Sequence, residues 1–118
     1  MLAGELRAIL GPLRDSGADV LTFDLYDWTS NPYIPARLAP RMAQRLTQVT
    51  EVTRAVSAQL GGIHARLRDG PAAGDRDRFS HDGLHLNARG HGIVATDLAR
   101  ALGAARQAVT SDPARLAS

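Results

Sequence analysis

The sequence predicts a single α/β domain with parallel strands. Apolar residues recur at helical steps in three segments, two short runs of strand character lie between them, and Gly, Asn and Asp punctuate the joints. Helix, strand, helix, strand, helix is the alternation that parallel strands with crossover helices produce. At 118 residues the chain suits one domain, burying roughly two-thirds of the surface its unfolded form exposes.

Leu2, Leu6, Ile9, Leu10 and Leu13 sit at steps of three and four, so the chain opens with an amphipathic helix. Pro12 lies inside that pattern and is expected to kink or fray it near Gly11. Asp15-Ser-Gly-Ala reads as a turn, and Asp19-Val-Leu-Thr-Phe-Asp24 as a strand whose apolar run suits a position covered on both faces. Asp27, Asn31, Pro32 and Pro35 break the following loop. A long helix from about Pro40 to Leu60 is written by Met42, Leu46, Val49, Val52, Val56 and Leu60, and Gly61-Gly62 ends it. Ile63, Ala65 and Leu67 alternate with His64, Arg66 and Arg68 as a short strand. Asp69 to Arg78 is polar and reads as a loop. Asn87 is a good N-cap for a last helix from Ala88 carrying Val94, Leu98, Ala101 and Leu102, with Gly103 suited to its C′ position. Residues 1–103 would then form the domain and 104–118 a frayed polar tail.

Composition narrows the function. No cysteine is present, which excludes a disulfide framework, a thiolate zinc site and a cysteine nucleophile. All fourteen basic residues are arginine, a pattern that a GC-rich coding bias produces, and the formal charge is only +2. Such a balance gives no strong positive field, so no nucleic-acid partner is expected. The apolar runs fall far short of the roughly 18 residues a membrane span needs. The first residues show no basic stretch followed by an apolar one, so no signal peptide is visible and a cytoplasmic location is expected.

The densest chemistry lies in His81-Asp-Gly-Leu-His-Leu-Asn-Ala-Arg-Gly-His91. Asp82-x-x-His85 offers an acid and a base between the last strand and the last helix, on the carboxyl edge where open α/β sheets place their sites. The same two residues would serve equally as a polar loop capping that helix. His81, Asp82, His85 and His91 also have the donor types of a zinc site, although His91 belongs to a helical turn. His64 reads as an exposed strand residue, and Arg37, Arg41 and Arg45 as a solvated helix face. Asp24 and Asp27 default to solvated loop carboxylates. Trp28 and Tyr33 sit where an acyl group could be contacted.

Phe79-Ser-His-Asp-Gly-Leu-His-Leu-Asn-Ala-Arg-Gly-His91, followed by the apolar helix, resembles the final conserved block of SGNH (GDSL-type) hydrolases. Ser16-Gly-Ala-Asp-Val-Leu-Thr-Phe resembles the helix-to-strand turn in the second half of those enzymes. Val49 to Val56, Gly62 and the strand after it resemble the next helix and strand, so the likeness spans about residues 1–103. It implies a partial flavodoxin-like three-layer fold and a Ser-His-Asp triad. His85 would be general base and Asp82 its orienting partner, acting on a small-molecule or lipid ester through an acyl-enzyme, with no cofactor.

The family's Gly-Asp-Ser nucleophile motif and Gly-x-Asn-Asp oxyanion block occur nowhere between Met1 and Ser118. Ser16 precedes a strand and Ser80 adjoins the pair too closely, which leaves Ser30 as the one serine on the correct edge. The expectation is therefore a C-terminal half, from a misplaced start or a truncated gene, inactive on its own. The alternatives are a non-catalytic association module and a small metal-binding domain. With central strands missing, the chain is expected to be marginal or to form a homo-oligomer through an exposed strand edge.

Overall fold

A computed structural model describes residues 2–26, 29, 33–69, 76–82 and 84–111. Five elements follow in the expected order: α1 (Leu2–Asp15), β1 (Leu21–Phe23), α2 (Ala39–Gln59), β2 (Ile63–Ala65) and α3 (Ala88–Ser111). Two 3₁₀ turns, Leu67–Asp69 and Arg76–Arg78, lie between β2 and α3. The strands pair in parallel, with Leu21 opposite Ile63, Thr22 opposite His64 and Phe23 opposite Ala65. The chain is thus α/β.

Both helices that lead into a strand end in the same way. Gly17 N–H bonds Arg14 O and Ala18 N–H bonds Leu13 O, while Gly61 N–H bonds Ala58 O and Gly62 N–H bonds Ser57 O. These are two Schellman ends, and the residue they require in left-handed conformation is glycine each time, Gly17 at φ 90° and Gly61 at φ 69°. The chain then turns directly into the sheet, Ile63 N–H bonding Val20 O at 2.8 Å.

Side chains alternate across the strands, and the two faces have different chemistry. Ala65 points toward α3, where Tyr26, Ala65 and Leu67 pack with Phe79, Leu86, Val94, Leu98 and Ala101. Thr22, His64 and, just past β1, Asp24 form a polar row beneath α2. Among the described residues the buried hydrophobics are Tyr26, Leu46, Val56, Ala65 and Leu67. α1 packs on α2 yet buries none of its residues, and Ile9 and Leu13 remain 64% and 48% exposed.

Three expectations change. α1 runs three residues beyond Pro12 to Asp15 rather than fraying near Gly11. Proline removes one intrahelical bond there and crowds the carbonyl one turn back, while the Schellman end closes the turn beyond it. α3 passes through Gly103 to Ser111 because the Ala- and Gln-containing stretch after it favours helix strongly enough to absorb one glycine. Leu67 leaves the strand and begins a 3₁₀ turn.

Candidate active site

The segment before α3 folds back on itself. Phe79 and Leu86 form an isolated antiparallel bridge, and Ser80 N–H donates to His85 O at 2.7 Å. At the tip, Asp82 Oδ1 accepts the backbone N–H of Leu84 (2.9 Å) and of His85 (3.0 Å), the local pattern by which an Asp side chain substitutes for a backbone turn. Its second oxygen lies 2.6 Å from His85 Nδ1. The hydrogen bond with His85, then the two amides, hold the Asp82 carboxyl far below the ordinary carboxylate range. An ionised carboxylate only accepts, so His85 Nδ1 carries the proton and a neutral imidazole has its lone pair on Nε2. His85 Nε2 makes no hydrogen bond among the described residues, and the side chain is 77% exposed.

Asn87 joins this turn to the helix. Its backbone N–H bonds Arg78 O at 2.9 Å, its side-chain oxygen accepts Gly90 N–H at 2.8 Å as an N-cap, and its amide nitrogen donates to Phe79 O (2.9 Å) and Asp77 O. Arg78 is buried, its guanidinium 4.2 Å from the ring centre of Tyr26 and 4.8 Å from that of Phe79.

A second His–Asp pair, absent from the expectations above, is buried. Asp24, read above as a solvated loop carboxylate, is 1% exposed. Arg54 of α2 grips it with two bonds, Nε to Oδ1 at 3.1 Å and Nη2 to Oδ2 at 2.6 Å. His64 Nε2 lies 2.6 Å from Oδ1, and Arg68 N–H donates to Oδ2 at 3.1 Å. His64, read above as exposed, has a side chain only 10% exposed, with Nδ1 2.8 Å from the Thr22 hydroxyl. Burial works to raise the Asp24 carboxyl, but the bonds from Arg54, His64 and Arg68 N–H, with the Arg54 charge, outweigh it and lower the group from 3.8 to about 2. By the same acceptor argument His64 donates from Nε2, so a neutral His64 accepts the Thr22 proton at Nδ1.

The other expected residues fall as follows. Asp27, Trp28, Ser30 and Asn31 lie outside the described residues, as does Gly83. Ser16 donates its hydroxyl to Leu13 O at the amino edge of the sheet, away from His85. Ser80 makes no side-chain bond to His85 among the described residues. Arg37, Arg41, Arg45 and Tyr33 are exposed. His81 and His91 are exposed, and among the described residues no group of three or more His, Asp or Glu side chains is placed to hold a metal ion. No helix among the described residues is long and apolar enough to cross a membrane. Comparisons of the chain with protein-family models, curated proteins and solved structures find no match.

Proposed function

We propose that Asp82 and His85 are the acid–base pair of a serine ester hydrolase of the SGNH/GDSL type, acting on a small-molecule or lipid ester. The observation that carries the reading is the oriented imidazole: Nδ1 tied to an ionised Asp82 at 2.6 Å, and Nε2 without a partner among the described residues on an exposed side chain. In that tautomer Nε2 takes the proton of a serine hydroxyl as it attacks the ester carbonyl. It then returns the proton to the departing alcohol, leaving an acyl-enzyme that water cleaves by the same steps. Asp82 orients the ring and stabilises the imidazolium that forms. In this reading the serine and its oxyanion donors are not among these 118 residues, and residues 1–103 are the C-terminal part of the catalytic domain.

The test has two parts. Translating the DNA upstream of the Met1 codon in frame is expected to reveal a strand followed by Gly-Asp-Ser and Gly-x-Asn-Asp. The product of that longer frame is expected to hydrolyse a chromogenic short-chain ester, with turnover lost in His85→Ala. A stop codon close upstream, or turnover indifferent to His85→Ala, overturns the reading.

The edge of β1 that has no strand neighbour among the described residues, with Phe23 and Leu25 at 46% and 47% exposure, favours a second reading, an association module without catalysis. Concentration-dependent self-association with no esterase activity in the longer product selects it.

A further inference from the structure

We propose that Asn87 is a positioning residue for the Asp82–His85 pair: its side-chain amide clamps the turn that carries the pair to the first turn of α3. The inference takes its functional meaning from the ester-hydrolase reading, but it is tested without any ester. The bonds inside the turn, from Asp82 to two amides and to the imidazole, join the pair at a solvent-exposed tip and do not by themselves hold that tip in place on the protein. Phe79 and Leu86 at the base of the turn pack against the core, but Leu84 and His85 at the tip are exposed. The two arms meet in one bridge made of two backbone bonds, Ser80 N–H to His85 O and Asn87 N–H to Arg78 O, too little pairing to persist alone in water.

Asn87 adds a polar attachment to the apolar one at the base of the turn. A primary amide has two N–H donors and one carbonyl acceptor, and all three are engaged here on separate parts of the chain. The donors reach Asp77 O and Phe79 O on the incoming arm, and the acceptor takes Gly90 N–H in the helix. Ser, Thr and Asp cap helices about as well as Asn, but none of them can donate twice. The clamp accounts for asparagine where a cap alone does not. The fit beneath it is close: a Cβ on Gly90 would lie 2.2 Å from Arg78 O, so the helix presses directly on the backbone that Asn87 holds.

Two variants separate clamp from cap. Asn87→Ser and Asn87→Asp keep an acceptor for Gly90 N–H; Ser retains a single donor on a shorter side chain and cannot reach both carbonyls, while Asp has none and sets a carboxylate against them. The measurement is nitrogen-15 spectroscopy of the histidine rings with amide hydrogen exchange on the full chain. The buried His64–Asp24 pair acts as internal reference. Helical content and the His64 signals are expected to stay. The Nδ1-protonated signature of His85 is expected to give way to the averaged pattern of a free imidazole, and the Ser80 and His85 amides to exchange roughly tenfold faster. An unchanged His85 in both variants shows that Asn87 only caps, and overturns the proposal. His64 and His85 changing together shows support of the whole fold, and overturns it too. A longer product that hydrolyses no ester sinks the functional reading and leaves this one standing.

Discussion

Asp24 keeps a negative charge where no water reaches it, and the residues responsible come from three parts of the chain. Removing one partner of a buried ion pair leaves the other uncompensated, which costs far more than the pair contributes. Arg54→Ala is therefore expected to destabilise the chain by about 3 kcal/mol, the low end for a buried pair because the Arg54 side chain is 24% exposed, as a urea-melt midpoint would show. The pH dependence follows from the depressed carboxyl. The unfolded chain binds the proton first on acidification, so the contribution is complete above pH 4 and fades between about 4 and about 2. It amounts to about 2 kcal/mol. The Asp82 carboxyl is also held below its ordinary range, so the difference between the native chain and Asp24→Asn isolates the buried group. Equal acid sensitivity of the two chains would refute the assignment.

The visible pair and the hidden one differ in sequence distance. Asp82 and His85 stand three residues apart beside a helix start, where one turn suffices to join them. Asp24, Arg54 and His64 are separated by ten to forty residues, and only the α2 crossover brings them together. A signal did exist. A parallel strand is covered on both faces, so His64, alternating with Ile63 and Ala65, had to meet either α2 or α3 and needed a partner there. An aspartate at the end of the neighbouring strand was the natural one.

At the level of elements, periodicity in Met42, Leu46, Val49 and Val56 located α2 to within about a residue at each end, and Asn87 located the start of α3. Gly103 misled because a C′ signal is a local preference, and the Ala-rich turns after it outweighed one glycine. Two glycines of the same helix should therefore respond oppositely to alanine. At Gly103 nothing lies within 4 Å of the added methyl group, so Gly103→Ala is expected to raise stability by about 0.5–1 kcal/mol through helix propensity. At Gly90 the methyl group meets Arg78 O at 2.2 Å, and Gly90→Ala is expected to cost about 2–3 kcal/mol. Thermal melts of the two variants moving in the same direction would contradict this.

On the scale of the molecule, the described residues form a two-stranded sheet in which β1 has a neighbour on one edge only, and Phe23 and Leu25 stand exposed beside it. The accessible surface is 7954 Å² where a compact chain of 12.6 kDa exposes about 6200 Å². The radius of gyration of 16.5 Å likewise exceeds the roughly 13.5 Å of a compact chain this long. We expect sedimentation to show self-association that rises with concentration and weakens in Phe23→Lys, since an edge lysine opposes strand addition. A single monomeric species with one cooperative unfolding transition would argue against it.

The opposed nitrogen order of the two His–Asp pairs has a chemical corollary. An acylating reagent such as diethyl pyrocarbonate attacks an imidazole lone pair that faces solvent. His85 offers one at Nε2, and His81 and His91 are exposed, whereas His64 has one nitrogen on Asp24 and the other on Thr22 beneath α2. Three of the four histidines should be labelled while the chain stays folded, and the fourth only when α2 lifts from the sheet. The rate at which His64 takes up the label then reports how often the molecule opens, within the same sample that counts its accessible bases.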